Sequence, residues 1–427
     1  KSIITSGAGN ITLIADDMRI NGSINAGLGT IILANSTPNT NLNIGTNTGT
    51  GIKIDDAELS RLLGTGSIVF GSSNAGQIIL DTVNLSGRNV SLICNSSIIG
   101  STGLDITSDI LTLNGTSIGP LETSVNSLSA TATNGSIYLQ NNKSLVIISA
   151  TALGVDSDNS DISITVNSVN SDLTIGSISA PDTVSLTALS GSILDDLDDT
   201  TYIQANYISL TTSGDIGGFN EDADNLADML KPMLDVKLGT GRLTANAGGN
   251  IYIAEYGKSN LNTFQYILNS TGTDKQIGLL NYTSDGDLTV DNGISSDDDI
   301  WLAAMGDINV NNSFTTTGDY LGLHALGNIN IAADISSSDE IEIDTYVDGN
   351  GSGYIRQTSG TIGTGIESLV LYSANGISLN NTKVSYLEAE NNNRGDILIV
   401  NTGDLSLEGI INNALGGKIN INVNSDL

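Results

Sequence analysis

Cysteine and histidine occur once each in this chain, at Cys94 and His324, and proline only four times. A lone cysteine forms no internal disulfide, so stability has to come from packing. Within Asn89-Val90-Ser91-Leu92-Ile93-Cys94 it reads as a small inward hydrophobe rather than a reactive thiol. No motif sets a base or nucleophile beside Leu321-Gly322-Leu323-His324-Ala325, so His324 is expected to be an outward-facing structural residue. Basic residues are scarce as well, with 15 Lys+Arg against 47 Asp+Glu and a net charge of -32. Phosphate backbones and anionic headgroups repel such a polyanion, which argues against nucleic acid as a partner and against direct membrane insertion. No apolar run approaches the ~18 residues of a membrane span.

What the chain has in quantity is glycine, 49 residues, and a hydrophobic fraction of 39% laid out at regular intervals. Gly286-Asp287-Leu288-Thr289-Val290 returns as Gly306-Asp307-Ile308-Asn309-Val310 and again as Gly327-Asn328-Ile329-Asn330-Ile331. Ile294, Phe314 and Ile335 keep the same step, as do Ile300, Leu321 and Ile341. Apolar and polar residues alternate within each run, the period of a strand with one buried face. A unit this small buries its apolar face only by stacking on copies of itself. The sequence therefore predicts an all-β fold, a right-handed parallel β-helix (solenoid) with about 20-residue coils and a few short helical insertions. Residues 1–427 are expected to be one continuous segment of a longer protein, roughly 17 to 20 coils at about 4.8 Å each. Recurrent Asn309 and Asn330 predict an amide ladder between coils.

Three stretches break the strand period. Asp55 to Leu63 carries Leu59, Leu62 and Leu63 on one helical face behind an Asp cap, and Pro120 to Leu128 has a proline-first start with Leu121, Val125 and Leu128. The longest lies near 217–239, where Asn220 caps a helix bearing Leu226, Met229, Leu230, Met233 and Leu234. It is expected to be a helical decoration that Pro232 ends. Asn35 to Gly51 reads as a Thr/Asn/Gly-rich corner. The chain opens at Lys1-Ser2-Ile3-Ile4 and closes on the alternating Gly417 to Val423, so both ends read as cut faces of a longer array.

Gly9-Asn10-Ile11-Thr12-Leu13, Ala15-Asp16-Asp17, Asn25-Ala26-Gly27, Asn43 to Gly45, Asp56-Ala57-Glu58-Leu59 and Ala75-Gly76 resemble, in that order, the repeat modules of filamentous-haemagglutinin-like giant bacterial surface exoproteins. So do the modules around Pro120, Gly191 to Asp195 and Gly249 to Ile253. The resemblance implies a secreted, bacterial cell-surface adhesin repeat region: a non-catalytic structural shaft, or a fibre or coat protein. Self-association into a fibre or surface layer, or a receptor on a host or neighbouring cell, is expected to follow. The alternative is a carbohydrate-binding or polysaccharide-cleaving β-helix of the lyase or tailspike type, favoured by a sheet face bearing Tyr, Trp301, Arg and acids.

Few sites stand out. The polygalacturonase patterns Asn-Thr-Asp, Gly-His-Gly and Arg-Ile-Lys are absent, and Asp195-Asp196, Asp198-Asp199 and Asp297-Asp298-Asp299 read as solvated corners, so no catalytic or cofactor-binding residue is expected. Asp348, Asn350 and Ser352 match the first half of a calcium loop, and Asp156 to Asp161 has a similar oxygen density. The loop lacks its twelfth-position acid, where Ser359 stands. Arg394-Gly395-Asp396 is an integrin-type tripeptide and the candidate receptor contact, although Gly-Asp also opens ordinary repeat strands here.

Overall fold

The computed structural model describes residues 4–154, 160–220, 231–257, 260–262, 265–272, 275–283, 286–349 and 351–424. Strand makes up 53% of it and helix 2%, in parallel stacked coils of about 21 residues, a β-solenoid of about 19 turns. The chain divides into two compact units, residues 1–214 and 215–427.

In the second unit the repeat columns stand in register. Leu288 pairs with Ile308 and Ile308 with Ile329. Ile294, Phe314 and Ile335 form a second file, and Ile300, Leu321 and Ile341 a third. Phe314, Leu321 and Ile341 are wholly buried, so the three files enclose one aliphatic core. Each fully buried aliphatic side chain contributes roughly 1.5–3 kcal/mol.

Gly-Asp and Gly-Asn openings recur for a physical reason. The side chain oxygen of the opening residue accepts the backbone N–H of a residue one rung on, and so extends the ladder into the corner. Asp287 accepts from the Asp307 amide at 2.8 Å and Asp307 from the Asn328 amide at 2.6 Å. Asp172 does the same for Ser192 in the first unit, as Asn10 does for Thr30. Asn330 donates to Asn309 at 3.0 Å, forming the expected ladder.

The first unit runs on the same plan. One sheet stacks Ile11–Ile14, Ile31–Ala34, Ile68–Gly71 and Val90–Ile93 in parallel. Another begins Leu42–Ile44, Ile78–Leu80 and Ser97–Gly100. Leu42–Ile44 lies inside the stretch that composition marks as a corner, because Leu42 and Ile44 alternate inward around Asn43. Cys94 is buried as expected, and burial pushes its thiol pKa up.

The helical expectations divide. Asp56–Leu59 is a helix with Asp55 as N-cap and a complete capping box, and Glu58 also accepts the Ile20 amide at 2.7 Å. Leu62–Leu63 has already returned to strand. Pro120 to Leu128 forms no helix. Pro120 lies in the strand Ser117–Ser124, where Ile118, Leu121 and Thr123 point inward and stack on the next rung. A proline-first signal is local, and alternation across the rung overrides it. Near 217–239, Leu226, Met229 and Leu230 lie outside the described residues. Met233 and Leu234 are wholly buried, and Leu234–Leu238 is a strand paired with Ile251–Glu255, so the pattern ends in sheet rather than helix.

Candidate functional site

Chemistry-bearing side chains of the second unit collect on the outward face of one sheet, over Asp299–Ala304, Tyr320–Ala325, Glu340–Asp344 and Ser368–Ser373. Within Tyr320–Ala325, Leu321, Leu323 and Ala325 fill the core, which turns Tyr320, Gly322 and His324 outward. Register then fixes their neighbours. Tyr320 lies beside Glu340, Gly322 beside Glu342 and His324 beside Asp344.

Gly322 has a task here. A Cβ at that position would lie 2.7 Å from both His324 Nε2 and the Tyr320 hydroxyl, so the missing side chain lets the two flanking rings converge above it. Tyr320 Oη and His324 Nε2 stand 3.1 Å apart, and the Tyr320 hydroxyl donates to Glu342 Oε2 at 2.7 Å. One ligand atom from each of His324, Glu342 and Asp344 falls within a 4.8 Å group, and all three residues are half-buried. Burial, and secondarily the negative charge of Glu342, raises the Tyr320 pKa well beyond the ordinary phenol value. Burial lowers the His324 pKa, against an upward pull from Glu342. Glu340 is pushed up, first by burial and then by Glu342, Asp339 and Glu388.

Two rungs back, Gly278 does the same for the single tryptophan. The indole of Trp301 lies over Gly278, its register partner, at distances no Cβ would allow. Trp301 meets Phe219 at a ring-centroid distance of 5.4 Å and Tyr252 at 6.3 Å, and Phe219 stacks on Tyr252 at 5.7 Å. These rings shield one another, leaving Trp301 8% exposed, so they form an outer core rather than an open stacking platform. Beside them lies a polar recess of ~360 Å³ bordered by Asp215, Asn250, Lys275 and Gln276.

The sequence reading missed this grouping. His324 is outward as expected, but it has partners, supplied by the rungs rather than by a linear motif. The available signal was the pair of glycines, Gly278 and Gly322, in strand interiors, where glycine marks close approach of another group.

The sequence-predicted sites fare differently. Arg394 is exposed, and Gly395 adopts φ +91°, a conformation suited to glycine. Asp396 Oδ1 accepts the Lys418 amide at 2.8 Å, the same rung-opening bond as elsewhere. Arg394-Gly395-Asp396 is thus built as a repeat corner that leaves the guanidinium side outward. In the calcium-loop candidate, Asp348 falls in the short 3-10 turn Val347–Gly349, and Asn350 lies outside the described residues. Ser352 is exposed, with its amide donating to Leu326 and its carbonyl accepting from Asn375. Of the second oxygen-rich loop only Ser160 and Asp161 are described, and Asp161 accepts the Thr183 amide at 3.3 Å.

Two of the acidic corners are not solvated. Asp195 is 8% exposed and accepts the Leu197 amide at 2.6 Å, while Asp298 is 2% exposed with its pKa raised by burial and by Asp297. Among adjacent acids, alternation sends one side chain inward, which composition alone does not reveal.

Compared with known protein families, curated proteins and solved structures, the chain matches none. No helix among the described residues is long and apolar enough to cross a membrane.

Proposed function

We propose that this chain is a structural shaft segment of a large secreted bacterial surface adhesin or of a surface fibre or coat, and that it is non-catalytic. The observation that carries the reading is the use made of the polar residues. At corner after corner a carboxylate or amide is engaged by the next rung's backbone, as at Asp172, Asp287, Asp307 and Asp396. Side chains held this way stiffen a stack. The resemblance to filamentous-haemagglutinin-like modules supports the same conclusion, and the acidity suits a surface exposed to solvent, with self-association or a cell-surface receptor as the partner class. The test is immunogold labelling of intact, unpermeabilised cells that produce the protein. Label standing off the cell surface is expected. Label confined to the cell interior would sink the proposal.

A second reading is favoured by one specific feature. Tyr320, Tyr372 and Tyr386 share an outward sheet face with Glu340, Glu342 and Glu388, an arrangement compatible with a carbohydrate-binding or polysaccharide-cleaving β-helix. Incubation with a panel of acidic and neutral polysaccharides separates the two, since saturable binding or new chain ends would support this reading and displace the first.

A further inference from the structure

We propose that His324, Glu342 and Asp344 form a binding site for one divalent transition-metal ion of the zinc class, held between two neighbouring rungs of the second unit. His324 and Asp344 are direct register partners, and Glu342 lies two residues before Asp344 on the same outward face, so the three side chains project from one small patch of sheet. Their ligand atoms lie within 4.8 Å of one another. Metal–ligand bonds of about 2.1 Å place ligands roughly 3.0–3.4 Å apart at octahedral or tetrahedral angles, so each pair has to draw together by no more than about 1.8 Å to hold one ion.

Gly322 supplies the clearance. A Cβ there would lie 2.7 Å from both the Tyr320 hydroxyl and His324 Nε2, so glycine is what lets the two rings meet beside the ligand set. Tyr320 supplies the orientation. Its single hydroxyl proton goes to Glu342 at 2.7 Å, so the 3.1 Å contact with the ring is a donation from Nε2–H to the phenol oxygen. That assigns the tautomer whose Nδ1 carries the lone pair, the arrangement in which a ligating histidine gives its other N–H to an oxygen partner.

Ligand type selects the ion. One imidazole with two carboxylates suits zinc, cobalt or manganese, whereas calcium calls for six to eight oxygens and magnesium for a largely hydrated octahedron. The bound ion would cross-link the rung Tyr320–Ala325 to the rung Glu340–Asp344 and relieve the like-charge crowding of Glu340, Glu342, Asp344 and Glu388.

Because the chain has one histidine, its ring signals in a heteronuclear NMR spectrum need no assignment. The full chain, stripped of metal with a chelator, is titrated with zinc chloride. The His324 ring resonances are expected to shift and to saturate at one equivalent, with the zinc-free spectrum showing the Nε2–H tautomer. Tyr320→Phe is expected to weaken the site by ~10–100-fold. Glu342→Gln with Asp344→Asn should abolish the saturable shift, and Asp339→Asn, an exposed neighbour, should leave it intact. Circular dichroism of each variant establishes that the strands persist, and any variant that loses them is replaced by the single substitution Glu342→Gln. A ring signal that zinc leaves unmoved would overturn the proposal. So would an equal shift in the double variant, or an equal response to calcium, since either marks non-specific binding to a polyanion.

Discussion

Asn401 offers the most direct measure of what the buried polar ladders do. It is wholly buried, and its side chain completes the backbone of one corner. Oδ1 accepts the Val384 amide at 3.0 Å and the Thr382 hydroxyl at 2.9 Å, and Nδ2 donates to the Val384 carbonyl at 3.2 Å. Asn141 repeats the arrangement in the first unit, with the Val125 amide at 2.9 Å, Thr123 Oγ1 at 2.9 Å and the Val125 carbonyl at 3.0 Å. Asn401→Leu keeps the branched heavy-atom skeleton and removes the bonds. Thr382 retains the Val400 carbonyl at 3.2 Å, and the Thr402 and Gly403 carbonyls lose only long contacts of 3.4 Å on half-buried residues, so the two groups stranded in the interior are the N–H and C=O of Val384. Each buried unsatisfied group costs about 1–3 kcal/mol. Leucine recovers part of this through apolar burial at ~25 cal/mol per Å². The net loss is expected to be about 1–5 kcal/mol, and Asn141→Leu should match it. Denaturant midpoints and native-state exchange of the Val384 amide measure it. A variant within ~0.5 kcal/mol of the parent, with Val384 exchange unchanged, would show that these corners are held by packing alone.

Phe314→Ala opens a cavity between Ile294 and Ile335 and should cost ~3–5 kcal/mol by denaturant melt. Gly360→Ala should cost more than ~1 kcal/mol, because φ is +79° and the new Cβ would lie 2.1 Å from the Ala333 carbonyl carbon. Burial raises the pKa values of Asp105, Asp298 and Glu340 above the ordinary carboxyl range, so the folded chain binds these protons more tightly than the unfolded one. Stability from these groups therefore rises as pH falls through their folded values and levels off at the unfolded ones. Asp16, lowered to about 2 chiefly by its bonds to Thr37, works oppositely, losing its contribution as pH falls from 3.8 toward 2. Melting temperature should thus increase on acidification as these three groups take up their protons, and a steady fall from neutral pH down to the protonation of Asp16 would contradict the assignment.

How much of this was legible follows from what periodicity encodes. Residues that repeat at one rung step, such as Leu288, Ile308 and Ile329, declare their stacking in the sequence, and register pairs them as read. The short helix at Asp56–Leu59 was legible because its cap is local. Pro120 and the stretch around Met233 misled because a local helix signal competes with inward alternation, and alternation is supported by rungs distant in sequence. The His324 grouping was hidden for a related reason. Its members lie 18 and 20 residues apart, and nothing in either segment alone marks the other. Only the bare positions Gly278 and Gly322 hinted that something large crosses the sheet surface there.

The acidity itself has a second cause beyond solubility. Asn328 accepts the Tyr354 amide at 3.2 Å in the position where Asp307 and Asp287 act one and two rungs earlier, so the stack requires an oxygen acceptor at the corner and not a charge. Replacing Asp172, Asp287, Asp299 and Asp396 together by Asn preserves every acceptor oxygen, including the bonds to Ser192, Asp307, Tyr320 and Lys418. It removes four negative charges. The neutral bonds are weaker than charge-assisted ones, but reduced like-charge repulsion offsets this, so stability should change by no more than ~1 kcal/mol. The same four positions replaced by Leu should lose roughly 1 kcal/mol each, because the next rung's amides then lack their acceptors. If the Asn variant unfolds as readily as the Leu variant, charge rather than acceptor geometry organises the corners. If instead it stays folded but associates side by side in sedimentation, the carboxylates have a separate part in keeping neighbouring copies apart, which is the behaviour a surface shaft at high local density requires.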